Sequence, residues 1–130
     1  MRSTFAANYA ATARGHGYID MTLLVIDDIF EVGREIRALC EQIHGYDSEL
    51  ASQIRRAWVR AAMNAGEAQH RRGAKQVNRF DDAMGEAREA HTGLRMALAF
   101  SLIEQERAER VIDRVDRIVA ILFKLSHPKR

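Results

Sequence analysis

Four apolar stripes at helical spacing limit what this chain can fold into. Val25, Ile29, Val32, Ile36, Leu39 and Ile43 recur at intervals of four, three, four, three and four, which places every member on one face of an α-helix. Leu50, Ile54, Ala57, Trp58, Ala61, Ala65 and Ala68 form a second stripe, mostly alanine. Val77, Phe80, Met84, Ala87, His91, Leu94 and Leu98 form a third, and Ala108, Val111, Val115, Ile118, Leu122 and Leu125 a fourth. The one proline is residue 128, so nothing before it forbids a helical hydrogen bond. Strand signals are absent. The spacing predicts helices from about Met21 to His44, from Asp47 or Ser48 to near Gly73, from about Lys75 to Phe100, and across Ala108 to Leu125 until Pro128 halts the last. Asp47 or Ser48 offers a side-chain oxygen to the free amides that open the second helix. Helices joined by so few residues neighbour one another antiparallel, which gives an all-α, up-down-up-down four-helix bundle.

At 130 residues the chain is long enough for one continuous core and short for two domains. Residues 1 to 18 hold Arg2, Arg14, five alanines and two glycines, with no acid and no sustained apolar period. They are expected to form a flexible N-terminal tail, ahead of a bundle over residues 19–127 and a basic end at 128–130. An acid-free, arginine-containing start also resembles an organelle-targeting peptide, or the product of a start upstream of Met21. The single cysteine, Cys40, lies at a core spacing, so it reads as a small buried hydrophobe in a reduced, cytoplasmic setting. No apolar run approaches the roughly 20 residues a membrane crossing needs.

Charge is distributed unevenly. The formal net charge is only +2, yet Leu50 to Arg79 carries seven basic residues against one acid, Glu67. The seven are Arg55, Arg56, Arg60, Arg71, Arg72, Lys75 and Arg79. Residues 19 to 49 run the other way, with eight acids and two arginines. At 100° per residue, Arg56, Arg60, Asn64, Glu67 and Arg71 form one polar stripe away from the alanine face. This is a candidate nucleic-acid surface able to track phosphates. No exposed aromatics are interleaved with it, so binding is expected to be largely independent of sequence. Two other uses fit the same charges. One is a solvated face with Glu67 paired to Arg71 or Arg60, and the other is an electrostatic contact between an acidic helix one and a basic helix two of neighbouring subunits.

No catalytic set emerges. Glu41 with His44, and Glu67 with His70, are two E-x-x-H pairs of the kind that ferritin-like bundles use for two metals. In an antiparallel bundle, however, they fall at the ends of consecutive helices, roughly 30 Å apart at 1.5 Å rise per residue. His91 lies on the apolar series of helix three, where a lone histidine reads first as a hydrogen-bonded core residue. Cys40 has no credible base beside it, because His44 lies one turn later at the helix end. No metal and no cofactor is therefore expected.

Gln53-Ile54-Arg55-Arg56-Ala57, followed by Asn64 and Glu67, resembles a motif of the four-helix-bundle proteins encoded in 23S rRNA intervening sequences. Ala83-Met84-Gly85-Glu86-Ala87-Arg88-Glu89 is similar to a second element of that family, and residues 21 to 125 follow its helix layout. Arg60 and Glu86 depart from the pattern, each standing where the family usually has serine, and Ala68 stands where it has glycine. The resemblance implies a small cytoplasmic protein that assembles into a ring, commonly a pentamer. It also implies kinship with the accessory variability determinant of diversity-generating retroelements, a basic barrel associated with nucleic acid and a reverse transcriptase. In that light Trp58, Ala61 and Ala65 are expected at a subunit interface, small side chains allowing close approach beside an aromatic anchor. The alternative is that Trp58 caps the subunit's own interior. The reading as a whole is a non-enzymatic, homo-oligomeric helical scaffold with RNA or DNA as a partner. The alternatives are a purely structural assembly or adaptor module, and a metal-dependent bundle enzyme.

Overall fold

In the computed structural model, residues 18–129 are described. Four helices fill them: α1 (Tyr18–His44), α2 (Ser48–Gln69), α3 (Gly73–Ala99) and α4 (Gln105–Ser126). The expected N-terminal tail lies outside the described residues, apart from Tyr18, which already belongs to α1. The helices therefore sit where the apolar spacing placed them, with ends displaced by a few residues. Helix α2 stops at Gln69 rather than near Gly73, because Gly73, at φ +59°, opens α3 instead.

Each turn is stabilised by local hydrogen bonds. Ile43 O accepts from the amides of Tyr46 (2.9 Å) and Asp47 (2.8 Å), and the Asp47 carboxylate in turn accepts from Leu50 N at 2.9 Å. Asp47 is thus the N-cap of α2 and satisfies an amide that the first helical turn leaves free. After α3, Ser101 takes a left-handed φ of +60° and Leu102 N donates to Ala97 O at 2.9 Å, which closes the helix end.

Contacts between helices run in opposing register. Trp58 of α2 meets Ile29 of α1, Gln76 of α3 meets Ala68 of α2, and Arg79 of α3 meets Asn64 of α2. Packing joins α1 to α2, α2 to α3, α3 to α4 and α4 back to α1, the order of an up-down-up-down bundle.

The α2–α3 seam is the most extensive of these pairings, and small side chains make it so. Ala57, Ala61, Ala65 and Ala68 of α2 are buried, as are Ala83, Ala87, Ala90 and Ala97 of α3. Gly93 marks the closest approach, since a Cβ there would lie 2.5 Å from Ile54 Cγ1. The α3 core face is accordingly rotated from the expected one. Ala83, Ala90 and Ala97 lie fully inside, while Val77, His91 and Leu98 from the apolar series are only half-buried. Larger residues fill the space between the seam and the other two helices, among them Ile29, Leu39, Phe80, Leu94, Ile118 and Leu122. Together these form one core.

Candidate nucleic-acid interface

All seven basic residues of the Arg55–Arg79 segment are exposed, but they do not form one uniform patch. Arg71 is paired with Glu67, its Nε 2.8 Å from Glu67 Oε1. That hydrogen bond first, and then the charge of Arg71, holds the Glu67 carboxyl below its ordinary range. Arg79 Nη1 donates to Asn64 Oδ1 at 3.2 Å, and its charge also acts on Glu67. Arg60 faces α3, where its charge acts on Glu86. Burial chiefly, and then the neighbouring Glu89 carboxyl, pushes Glu86 above the ordinary carboxylate range, against the pull of Arg60.

The two familial motifs therefore have a structural reading: they are the two sides of the α2–α3 seam. Ile54 sits over Gly93, Ala57 packs inside, Asn64 holds Arg79 and Glu67 holds Arg71. Ala83, Met84 and Ala87 of the second motif are buried. Arg60 and Glu86, where the chain departs from the family pattern, are near enough to each other for their charges to interact.

Arg55 turns to the opposite flank. It lines the surface between α1 and α2 together with Arg34 and Arg37, and its charge partly offsets the burial that raises the Cys40 thiol to about 11. Arg56 joins Arg37 and Arg55 around a shallow groove at the α1–α2 turn, which also includes His44, Ser48 and Ser52. The cluster of Arg34 and Arg37 with Arg55 and Arg56 escaped sequence reading because the bases of helix one were counted within an acidic segment. A helical wheel of α1 set beside α2 carries the signal, but only once the register of the two helices is known.

The three residues expected at a subunit interface lie inside the subunit. Ala61 and Ala65 have no exposed surface, and Trp58 retains 5%. The indole Nε1 donates to Ile29 O at 2.9 Å, and the ring lies over Gly33, where a Cβ would come within 3.3 Å of Nε1. The Trp58 indole therefore packs within its own subunit, and the exposed apolar residues beside it are Val59 and Met63.

The remaining polar candidates are apart. Glu41 and His44 line the groove at the α1–α2 turn, while Glu67 is engaged by Arg71 at the far end of α2. Among the described residues no group of three or more histidine, cysteine or acidic side chains is placed to hold a metal ion. His91 Nε2 lies 3.1 Å from Asp116 Oδ1 across the α3–α4 seam.

A polar cluster between α1 and α4 had no counterpart in the sequence reading. Arg114 of α4 pairs with Glu35 and, at 3.2 Å, with Glu31. One turn from Glu31, Asp28 is 5% exposed, and its Oδ2 meets no donor among the described residues. Burial first, and then the Glu31 charge, raises the Asp28 carboxyl from 3.8 to about 7, although Arg114 pulls it down. None of the described helices is long and apolar enough to cross a membrane.

Comparison with known proteins places the fold. A crystal structure of a protein of unknown function from the S23 ribosomal protein family of Bacteroides thetaiotaomicron superposes with a TM-score of 0.73 at 22% identity, over 80% of this chain and 99% of that one. Among curated proteins none matches. The family model described as 23S rRNA-intervening sequence protein matches residues 21–124, the whole four-helix bundle but for a few terminal residues, and the chain belongs to that family.

Proposed function

We propose that this protein is a non-enzymatic, self-assembling helical scaffold that holds nucleic acid by its phosphates. The observation that carries this reading is the set of exposed cations along α2 and the start of α3 that form no salt bridge among the described residues. Arg56, Arg72, Lys75 and Arg79 are all exposed, and no carboxylate is paired with any of them among the described interactions. From Arg56 to its end at Gln69 α2 rises about 20 Å, so Arg56 and the bases at the α2–α3 turn are spaced widely enough to meet several phosphates of a strand. Attraction of this kind depends on counterion release and carries no base preference. Self-assembly repeats the array on each subunit and multiplies the effective local concentration of cationic sites. Among the described residues, eight large apolar side chains, each at least 44% exposed, supply surface that a neighbouring copy would cover.

The test is binding of single- and double-stranded RNA and DNA in a filter or mobility-shift assay across a salt series, with light scattering to count subunits. Binding should weaken steeply as salt rises. The triple variant Arg56→Glu, Arg72→Glu, Lys75→Glu should abolish retention while melting like the parent, because all three side chains are exposed. Arg60 is left unchanged, since a glutamate there would crowd a third acid against Glu86 and Glu89. Undetectable binding at low salt, or binding indifferent to salt, refutes the phosphate reading, and a monomer at all concentrations refutes the assembly.

A further inference from the structure

The α2–α3 face that carries the proposed phosphate contacts is not uniformly positive. On α3, Lys75, Arg79, Asp82, Glu86, Glu89 and Gly93 follow one another at intervals of four, three, four, three and four, so they share one stripe. Two contacts turn that stripe toward α2: Arg79 donates to Asn64 near one end, and Gly93 lies against Ile54 at the other. Its middle is acidic. Asp82 and Glu89 are exposed and Glu86 is half-buried, and the cation that α2 brings to Glu86 is Arg60.

Glu86 is the unusual member of the stripe. Its Oε2 is buried and meets no donor among the described residues, while its carboxyl lies within hydrogen-bonding reach of Glu89. Two ionised carboxylates cannot share a hydrogen bond, because neither carries a donor; one proton between them supplies it. Burial, Glu89 and Asp82 favour that proton, and Arg60 opposes it.

We propose that the Glu86–Glu89 pair gates phosphate binding: with both carboxylates charged the middle of the α2–α3 face repels a strand, and uptake of one proton by the pair leaves Arg60 and Arg79 free to attract it. The gate rests on the phosphate reading of the same face and adds its regulation. The surrounding groups hold their charge in mild acid. Arg56, Arg60 and Arg71 of α2 and Lys75 and Arg79 of α3 stay cationic, Glu67 is kept ionised by Arg71, and neither stripe contains a histidine. By linkage, the proton strengthens phosphate binding by the same factor as bound phosphate strengthens proton binding. Association in mild acid therefore takes up protons.

The probe is a labelled oligothymidylate of about 16 nucleotides, whose bases do not titrate between pH 5 and pH 8, added to the full-length protein at low salt. Glu86→Gln keeps the shape and offers Glu89 a donor, but removes the charge. At pH 8 this variant should bind about three- to tenfold more tightly than the parent, and at pH 5 the two should agree within about twofold. Calorimetry at pH 6, in two buffers of different ionisation enthalpy, should show the parent taking up protons on binding and the variant taking up fewer. Glu89→Gln, at an exposed position, should give the same pattern even where a change at half-buried Glu86 disturbs the fold. Asp82→Asn removes an exposed charge outside the pair and should tighten binding by a similar factor at both pH values. A constant advantage of both glutamine variants across pH, equal proton uptake by parent and variants, or convergence at pH 5 in Asp82→Asn alone overturns the gate while leaving phosphate binding in place. Undetectable binding by every protein at both pH values refutes the phosphate reading itself, and the gate with it.

Discussion

Replacing Asp28 by asparagine should stabilise the protein, and by an amount that depends on pH. The side chain is buried between α1 and α4, with one oxygen lacking a donor among the described residues and Glu31 as a neighbour. Its carboxyl is raised from 3.8 to about 7. A raised folded-state value means that between these limits the folded protein holds a proton that the unfolded chain has released, so stability falls as pH climbs. The contribution is fully present below pH 4, declines through the acid range, and is gone by the time pH has passed about 7. Three pH units correspond to about 4 kcal/mol at 1.36 kcal/mol per unit, a ceiling that structural relaxation and solvent entry lower to about half. Asparagine keeps the shape and removes the ionisation. Urea unfolding of both proteins at one fixed concentration should give nearly equal stability at pH 4, and an advantage for Asp28→Asn of about 2 to 4 kcal/mol at pH 8.5. Taking the difference between the two proteins cancels the opposite trend of depressed carboxylates such as Glu67. A difference that stays flat across pH, or an asparagine variant less stable at pH 8.5, would show that Asp28 is not charged against its burial.

Other expectations follow from the same contacts. Arg114→Met should destabilise the bundle by about 3 kcal/mol, because it leaves Glu31 and Glu35 without their shared cation, and a thermal melt that matches the parent's would contradict the pairing. Gly93→Ala should destabilise by about 1 to 2 kcal/mol as its methyl meets Ile54. Gly85→Ala, where nothing lies within 4 Å of the new methyl, should instead stabilise by about 0.5 to 1 kcal/mol through helix propensity; equal effects at the two glycines would contradict the close α2–α3 approach. Cys40, buried and with its thiol raised to about 11, should react with iodoacetamide at pH 8 far more slowly than the unfolded chain does, and rapid labelling of the folded protein would contradict its position.

The helices and their partners were legible from the sequence because each depends on local rules. Apolar residues at three- and four-residue intervals fix which face turns inward, and a chain with no proline before residue 128 has nothing to interrupt them. The capping role of Asp47 was equally local, an oxygen placed three residues before a free amide. Exposure of the arginines of helix two followed from the same wheel.

What only the tertiary structure decided are the relations between helices, which depend on how far each rotates and how closely it approaches its neighbour. Ala83, Ala90 and Ala97 enter the core at the expense of His91 and Leu98 because alanine columns on α2 and α3 allow the two backbones to close together, and alanine carries too weak an apolar signal to announce that. Trp58 turned inward for the same reason: Gly33 on another helix leaves the indole its space and Ile29 O accepts its proton. The basic segment was one run in sequence yet serves two flanks, Arg55 beside Arg34 and Arg37, Arg60 beside Glu86. Asp28, a polar residue next to the core residue Ile29 in the chain, became a buried carboxyl only when α4 covered it. Periodicity determines which face of a helix is inside; the electrostatics of a site are determined by which other face comes to lie against it.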